Sequence, residues 1–330
     1  MRNYLNLIRY KNLIMIVFLQ WSMHACIIRP LLFSFHIAPS TPDLCFWLLA
    51  MASVLIAAGG YVVNDYFDTR IDEINRPDRV IVNKSISKKA VMLLYQLLSV
   101  SGALLGVVIA FWAKNSMLGF LFVGLTGLLW FYSASYKRQF LIGNFIVAIA
   151  TGLTPFIVGL LEIAFLRQQY GELLDLTPVA PVIYTWIGGF SLFAFLITLI
   201  REIVKDLEDV EGDRELECRT MAVVWGATHV KWVIYGLMLV VLSIAGYYVS
   251  KIHFVNDSLT LRYYIIGVVL PFLCFGFLVA RAKAKTDFHQ AATLLKFIMI
   301  IGICYSFVFY FLQAKTYGFP MFDLFMVTAQ

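Results

Sequence analysis

Two acidic segments carry the residue types and spacings that could do chemistry. The first reads Asn64-Asp65-Tyr66-Phe67-Asp68-Thr69-Arg70-Ile71-Asp72, and the second runs from Arg201-Glu202 to Gly212-Asp213. Asn64, Asp68 and Asp72 recur at i, i+4 and i+8, so on a helix of about 3.6 residues per turn they share one face, with Asp65 beside them. Glu202, Asp206, Asp209 and Asp213 recur at i, i+4, i+7 and i+11 and form a tighter stripe. Like charges at such spacings destabilise a bare helix, so both stripes ask for a cation. A donor set made of oxygens suits Mg2+, which binds through a few carboxylates plus substrate phosphate. Isolated acids such as Asp257, Asp287 and Asp323 are more simply caps or solvated charges. Basic residues accompany the stripes: Arg76 and Arg79 after the first, Arg201 and Lys205 within the second, and Lys137 in Tyr132-Ser133-Ala134-Ser135-Tyr136-Lys137. Arginine pairs bidentately with phosphate and lysine adds a point charge. Carboxylates, a hard metal and cations beside hydrocarbon match an amphiphile with a diphosphate head and an apolar tail.

The elements that position these groups are membrane helices. Of 330 residues, 61% are hydrophobic and 14% are charged, against about 25% charged in soluble chains. Each acidic segment follows a long apolar run, where a carboxylate costs about 2.5–3.5 kcal/mol at a helix centre. Nine spans are predicted near 12–34, 44–66, 89–113, 115–135, 141–163, 180–204, 231–250, 262–281 and 291–313. The first run is long and lacks a small-residue cleavage site, so it reads as a span rather than a signal peptide. With the N-terminus cytoplasmic, all of the 26 Lys and Arg except Arg29, Lys114, Arg167, Lys251, Arg262 and Lys315 fall inside. That orientation places both stripes on the cytoplasmic face and the C-terminus outside, in a cell (inner) membrane. Residues 1–330 then form a single integral-membrane domain with cytoplasmic cap loops near 67–90 and 205–230.

Other chemistries find little support. The five cysteines lack a C-x-x-C pair, and the five histidines have no metal-ligand spacing. No basic, aromatic-laced segment lies outside the spans, so nucleic acid is not an expected partner. A divalent-cation transporter is the alternative of another class, but its carboxylates belong near mid-membrane with access to both faces, whereas these gather on one.

Taken together the motifs resemble the UbiA superfamily of intramembrane prenyltransferases over roughly residues 10–310. Asn64-Asp65-x-x-Asp68-x-x-x-Asp72 with Asn75-Arg76-Pro77-x-Arg79 resembles its first aspartate-rich motif, and Asp209-x-x-x-Asp213 its second. Tyr132 to Lys137, followed by Gly143-Asn144-Phe145, is similar to a further family region. The segment Lys205-Asp206-Leu207-Glu208-Asp209-Val210-Glu211-Gly212-Asp213 looks most like the geranylgeranylglycerol-phosphate geranylgeranyltransferase branch. The chain departs from the family where Arg-Pro-Ile-Pro-Ser-Gly is usual; it reads Arg79-Val80-Ile81-Val82-Asn83-Lys84, without the glycine-bearing turn.

The resemblance implies an all-α bundle of nine transmembrane helices around a central cavity open to the cytoplasmic side. It implies Mg2+-dependent transfer of a prenyl group from an isoprenyl diphosphate to a lipophilic acceptor among membrane lipids, through an allylic carbocation. Asn64, Asp65, Asp68, Asp72, Asp206, Asp209 and Asp213 are the expected metal ligands. Arg76, Arg79, Lys137, Arg201, Lys205 and Asn144 are expected on the diphosphate. Asp68, Asp72, Asp209, Asp213, Lys205 and Tyr132 are the expected catalytic set. The acceptor expected first is a glycerol-phosphate lipid, with an aromatic acceptor of quinone- or chlorophyll-type biosynthesis as the alternative.

Overall fold

The computed structural model describes residues 2–75, 80–251, 258–322 and 324–326, with Asn75 and Lys251 described by backbone alone. Among them nine helices are long and apolar enough to cross a bilayer. In chain order these are α1 (Tyr10–Ser34), α2 (Asp43–Phe67), α4 (Lys88–Trp112), α5 (Ser116–Ala134), α6 (Ile142–Tyr170), α7 (Val179–Glu208), α9 (Met221–Lys251), α10 (Ser258–Arg281) and α11 (Lys285–Tyr317). Two short helices extend the spans that carry the acidic stripes, α3 (Thr69–Asn75) directly after α2 and α8 (Val210–Glu215) directly after α7.

The spans fall where the apolar runs predict them, with three extensions. Helix α6 continues to Tyr170, and α9 begins at Met221 with a left-handed break at Gly226 (φ 74°). The expected cap loop near 205–230 is therefore largely helical. Helix α11 begins at Lys285 because Asp287 accepts hydrogen bonds from the backbone N–H groups of Lys283 and Ala284, both at 2.9 Å. Those bonds satisfy donors that a helix start otherwise leaves open. At the site of the absent glycine, Asn83 adopts a left-handed backbone (φ 66°) and donates its N–H to the Ile86 carbonyl at 2.9 Å. Asparagine tolerates that conformation better than most residues, so a turn forms there without glycine.

Small residues set how closely the helices approach. Helix α2 packs on α4 and α5, and a Cβ at Gly102 would come within 2.7 Å of Ile56 and 3.1 Å of the Ala52 carbonyl. Helix α7 packs on α6, α9 and α11, and α11 returns to α1, closing the bundle. One core joins α1, α2, α6 and the start of α7; a second joins the end of α7 to α9, α10 and α11. Phe111, Phe120 and Trp232 project from the outside of this bundle, as befits a surface facing lipid.

Candidate active site

Both acidic stripes bend at an interior carboxylate, where a straight helix was expected. Helix α2 stops at Phe67, and Asp68 (φ −85°, ψ 1°) leads into α3. Helix α7 stops at Glu208, and Asp209 (φ −101°, ψ 10°) leads into α8. The i, i+4 register survives each bend. Asp68 N–H donates to the Asn64 carbonyl at 2.9 Å and Asp72 N–H to that of Asp68 at 2.8 Å. Asp209 N–H likewise donates to the Lys205 carbonyl at 2.9 Å and Asp213 N–H to that of Asp209 at 3.1 Å. Helices α3 and α8 pack against one another, so two jaws of like construction meet at their tips.

In the first jaw, Asn64 Nδ2 donates to Asp68 Oδ2 at 2.7 Å, and Lys137 Nζ donates to the same oxygen. Arg9 Nη2 donates to Asp65 Oδ1 at 2.7 Å, with the guanidinium 5.0 Å above the Tyr61 ring. In the second jaw, Asn144 Nδ2 donates to Asp206 Oδ2 at 2.8 Å, and Lys285 Nζ lies 4.0 Å from Asp209 Oδ1. Arg201 Nη1 and Lys205 Nζ both pair with Glu202, at 2.6 and 3.0 Å. Tyr132, half-buried at the end of α5, lies within the fields of Lys137, Glu202, Asp68 and Asp206.

Burial and neighbouring charge tune the groups at the tips. Burial, helped by the Asp68 charge and opposed by Lys137, pushes the Asp72 carboxyl up to about 6. Burial likewise pushes Asp213 up to about 6, with Lys137 opposing and Asp209 assisting. For Lys137, burial disfavours the ammonium, but the Asp68 carboxylate and Tyr132 outweigh it and raise its pKa. Arg9 follows the same logic, with Asp65 and Tyr61 outweighing burial.

Lys137 sits on a 3-10 turn (Tyr136–Arg138) between α5 and α6. That turn reaches the jaws because Gly143 has no side chain. A Cβ there would lie 2.9 Å from Lys137 Cα, 3.1 Å from the Tyr136 carbonyl oxygen and 3.3 Å from the Tyr132 ring.

The donor set fits a hard divalent cation on particular terms. Every candidate ligand is an oxygen, and among the described residues no three His, Cys, Asp or Glu converge to hold an ion by themselves. Mg2+ tolerates this, since it usually takes one or two carboxylates and completes its shell with water and substrate phosphate. Asp68 and Asp72 in one jaw, and Asp209 and Asp213 in the other, are placed for it. Asp65 and Asp206, also expected as ligands, are held by Arg9 and Asn144. Arg76 and Arg79 lie outside the described residues. Sequence reasoning assigned Arg9 to membrane orientation alone and gave Gly143, quoted in a family-like segment, no role of its own. It could have found the local Glu202–Lys205 pair, which has i, i+3 spacing.

An apolar cavity of about 140 Å3 opens between α7, α9, α10 and α11. Trp186, Phe190, Phe193, Tyr248, Tyr264 and Tyr305 line it, and its wall reaches Leu196, five residues before Arg201 on α7. None of the jaw carboxylates lines it.

Comparison with known proteins places this arrangement in company. The profile of the UbiA prenyltransferase family matches residues 27–317. A digeranylgeranylglyceryl phosphate synthase from Methanosphaera stadtmanae is 30% identical over 258 residues, covering 77% of this chain and 84% of the relative. The synthase of the same name from Saccharolobus solfataricus is 33% identical over 258 residues, covering 78% and 81%. A solved structure described as giving insights into the biosynthesis of digeranylgeranylglyceryl phosphate synthase in membranes superposes with a TM-score of 0.62 at 23% identity, covering 94% of this chain and 98% of that one. A UbiA homolog from Archaeoglobus fulgidus bound to GPP and Mg2+ gives a TM-score of 0.54 at 14% identity, covering 93% and 99%. At these identities the solved structures share the fold.

Proposed function

The chain belongs to the UbiA prenyltransferase family, and on that footing we propose that it transfers a prenyl group from an isoprenyl diphosphate to a glycerol-phosphate lipid. It is an enzyme and an integral, multi-pass membrane protein. One observation carries the reading of the site: two carboxylate jaws of the same build meet through α3 and α8, with Lys137 on the first jaw and within the field of the second. The names of the relatives support the acceptor class.

In the proposed reaction the diphosphate lies between the jaws. Mg2+, when bound there, neutralises phosphate charge and makes diphosphate a better leaving group. Lys137 turns from Asp68 to a phosphate oxygen, and Arg76, Arg79 and Asn144 add contacts on the same head. Asn64 keeps the Asp68 carboxylate oriented through its amide. The allylic C–O bond breaks with its electron pair going to the diphosphate, and the acceptor hydroxyl forms a new C–O bond at C1 while its proton passes to the released diphosphate. Tyr132 shields the carbocation from water with its ring face. The aromatic cavity beyond Leu196 offers room for an apolar chain.

The distribution of Lys and Arg supports a cytoplasmic N-terminus, jaws and cavity mouth on the cytoplasmic side, and an outer C-terminus in a cell membrane. The return of α11 onto α1 supports a single domain across residues 1–330.

A product screen tests the function. Purified protein with Mg2+ is crossed with C10 to C20 allylic diphosphates and with glycerol-phosphate lipids or aromatic acids, and products are read by mass. Prenyl ethers of glycerol phosphate are expected. Products on aromatic rings alone would replace the acceptor class, and no diphosphate release with any acceptor would end the enzyme reading.

A further inference from the structure

The basic residues near the jaws separate into two groups. Lys137 belongs to the carboxylates of the first jaw. Arg201 and Lys205 are pinned together by Glu202, one helical turn before the second jaw. Lys296 of α11 lies within the combined field of Arg201, Lys205, Arg9 and Glu202. These residues come from three neighbouring parts of the bundle, since α7 packs on α11 and α11 on α1, which Arg9 directly precedes.

Lys296 is the odd member. It lies eleven residues into α11, which begins at Lys285, or about 16 Å along the axis. Leu294, Leu295, Phe297 and Ile298 flank it. Its side chain is exposed, and among the described residues no carboxylate pairs with its ammonium. A lysine three turns into an apolar membrane helix is costly and marks a functional contact by default. Arg201 adds a second open donor: its Nε is buried and has no hydrogen-bond partner among the described residues.

Cations outnumber acids in this region: Arg9, Arg201, Lys205 and Lys296 stand with Asp65, Glu202 and, beside Lys205, Asp206. An anionic headgroup would meet that excess, and the one the glycerol-phosphate reading supplies is a phosphomonoester, at about −1.5 to −2 at neutral pH. Position matters as well. Lys205 lies within the field of Lys137 and so adjoins the diphosphate side. An acceptor whose hydroxyl must meet C1 of the donor needs its phosphate held a few bonds from that point.

We propose that Arg201, Lys205 and Lys296, with Arg9 behind them, seat the phosphomonoester of the acceptor, leaving the donor diphosphate to the jaws and Lys137. This rests on the glycerol-phosphate reading above and sharpens it. It also moves Arg201 and Lys205 from the donor, where the sequence placed them, to the acceptor. Glu202 is then a positioning residue that keeps the arginine and the lysine parallel until phosphate arrives.

The test uses the full chain in nanodiscs, a C20 allylic diphosphate as donor, and two acceptors: a monoalkyl glycerol phosphate and its dephosphorylated alcohol. Lys296→Gln is expected to raise KM for the phosphorylated acceptor about 10- to 100-fold, the range for losing one charge-assisted contact. KM for the donor stays as in the wild type, and Lys296→Arg restores most of the acceptor affinity. Removing the phosphate should weaken the acceptor strongly with wild-type protein and much less with Lys296→Gln. The seat is overturned if donor and acceptor KM rise together, or if dephosphorylation costs both proteins the same factor. A lysine that merely reaches up to bilayer phosphates would leave every KM unmoved, which also overturns it. A wild type that prenylates aromatic acids and ignores the phosphorylated acceptor removes the function reading, and the seat with it.

Discussion

At the first jaw, Asp68 is met by the Lys137 ammonium and the Asn64 amide, and Asp65 by the Arg9 guanidinium. At the second, Asp206 is met by the Asn144 amide, and Lys285 stands 4.0 Å from Asp209. The backbones are alike: a long helix, a bend at an aspartate, and a short helix that keeps the i, i+4 register. The difference is therefore electrostatic. In the first jaw the cations bond the aspartates directly, Lys137 on Asp68 and Arg9 on Asp65. In the second, Arg201 and Lys205 are drawn to Glu202, an amide meets Asp206, and Asp213 lies in the field of Lys137. Like geometry with unlike neutralisation suits a ligand shared between the jaws that brings its own cations.

The comparison breaks most visibly if one jaw proves dispensable. Asp68→Ala and Asp213→Ala are each expected to lower kcat by about 10² to 10³, as for removal of a preorganised electrostatic group. An Asp213→Ala protein with wild-type turnover would reduce the site to a single jaw. Next in size, Lys137→Met should lower kcat/KM by about 10- to 100-fold and should lower the Tm of the metal-free protein, because Asp68, 4% exposed, loses its ammonium. Lys285→Met, removing a partly exposed charge at 4.0 Å, should leave Tm within experimental error; equal losses from the two variants would mean that the jaws are neutralised alike.

Smaller still is the effect of Gly143→Ala. Its methyl would press on Lys137 Cα at 2.9 Å, an overpacking worth about 1–3 kcal/mol, and displacement of the turn should show as a lower kcat with donor KM raised. The smallest effect is in pH. Asp72 and Asp213, raised to about 6, hold protons more tightly in the fold than at the ordinary 3.8. Without metal their contribution to stability is present below about pH 3.8 and fades as pH rises through about 6. A divalent cation binds the ionised carboxylates and releases those protons. The rise in Tm on adding Mg2+ should therefore grow as pH rises through 6, and a pH-independent rise would remove both carboxylates from the metal site.

The long-range arrangement was legible wherever it repeated a local period. The apolar runs give nine spans, and the i, i+4 recurrence of Asn64, Asp68 and Asp72 survives in the backbone hydrogen bonds. The bends at Asp68 and Asp209 were not legible, because periodicity constrains which face a residue takes and says nothing about where the axis turns. Arg9 was hidden for another reason. Its partner Asp65 is 56 residues away, and an arginine near the start of a membrane chain is already accounted for by topology. Lys296 was counted with the cytoplasmic charges although it falls inside the 291–313 span; with α11 starting at Lys285 it stands eleven residues into the helix. Glu202, Arg201 and Lys205 form a local cluster whose pairing was open to inspection, but Glu202 was read only as a member of the acidic stripe.

The cations of the first jaw also bear on how the chain is made. Membrane helices are delivered in order, at about 5–20 residues per second, so Asp213 follows Asp68 by about 7–30 s. During that interval a bare pair of carboxylates would stand at the end of α2 with no second jaw to face. Arg9 has already emerged when Asp65 arrives, and Lys137 follows Asp68 by 69 residues, ahead of α6 and α7. The N-terminal half can thus settle in the bilayer with its acids matched by its own residues, and the ribosome need not finish the site before the first helices are stable.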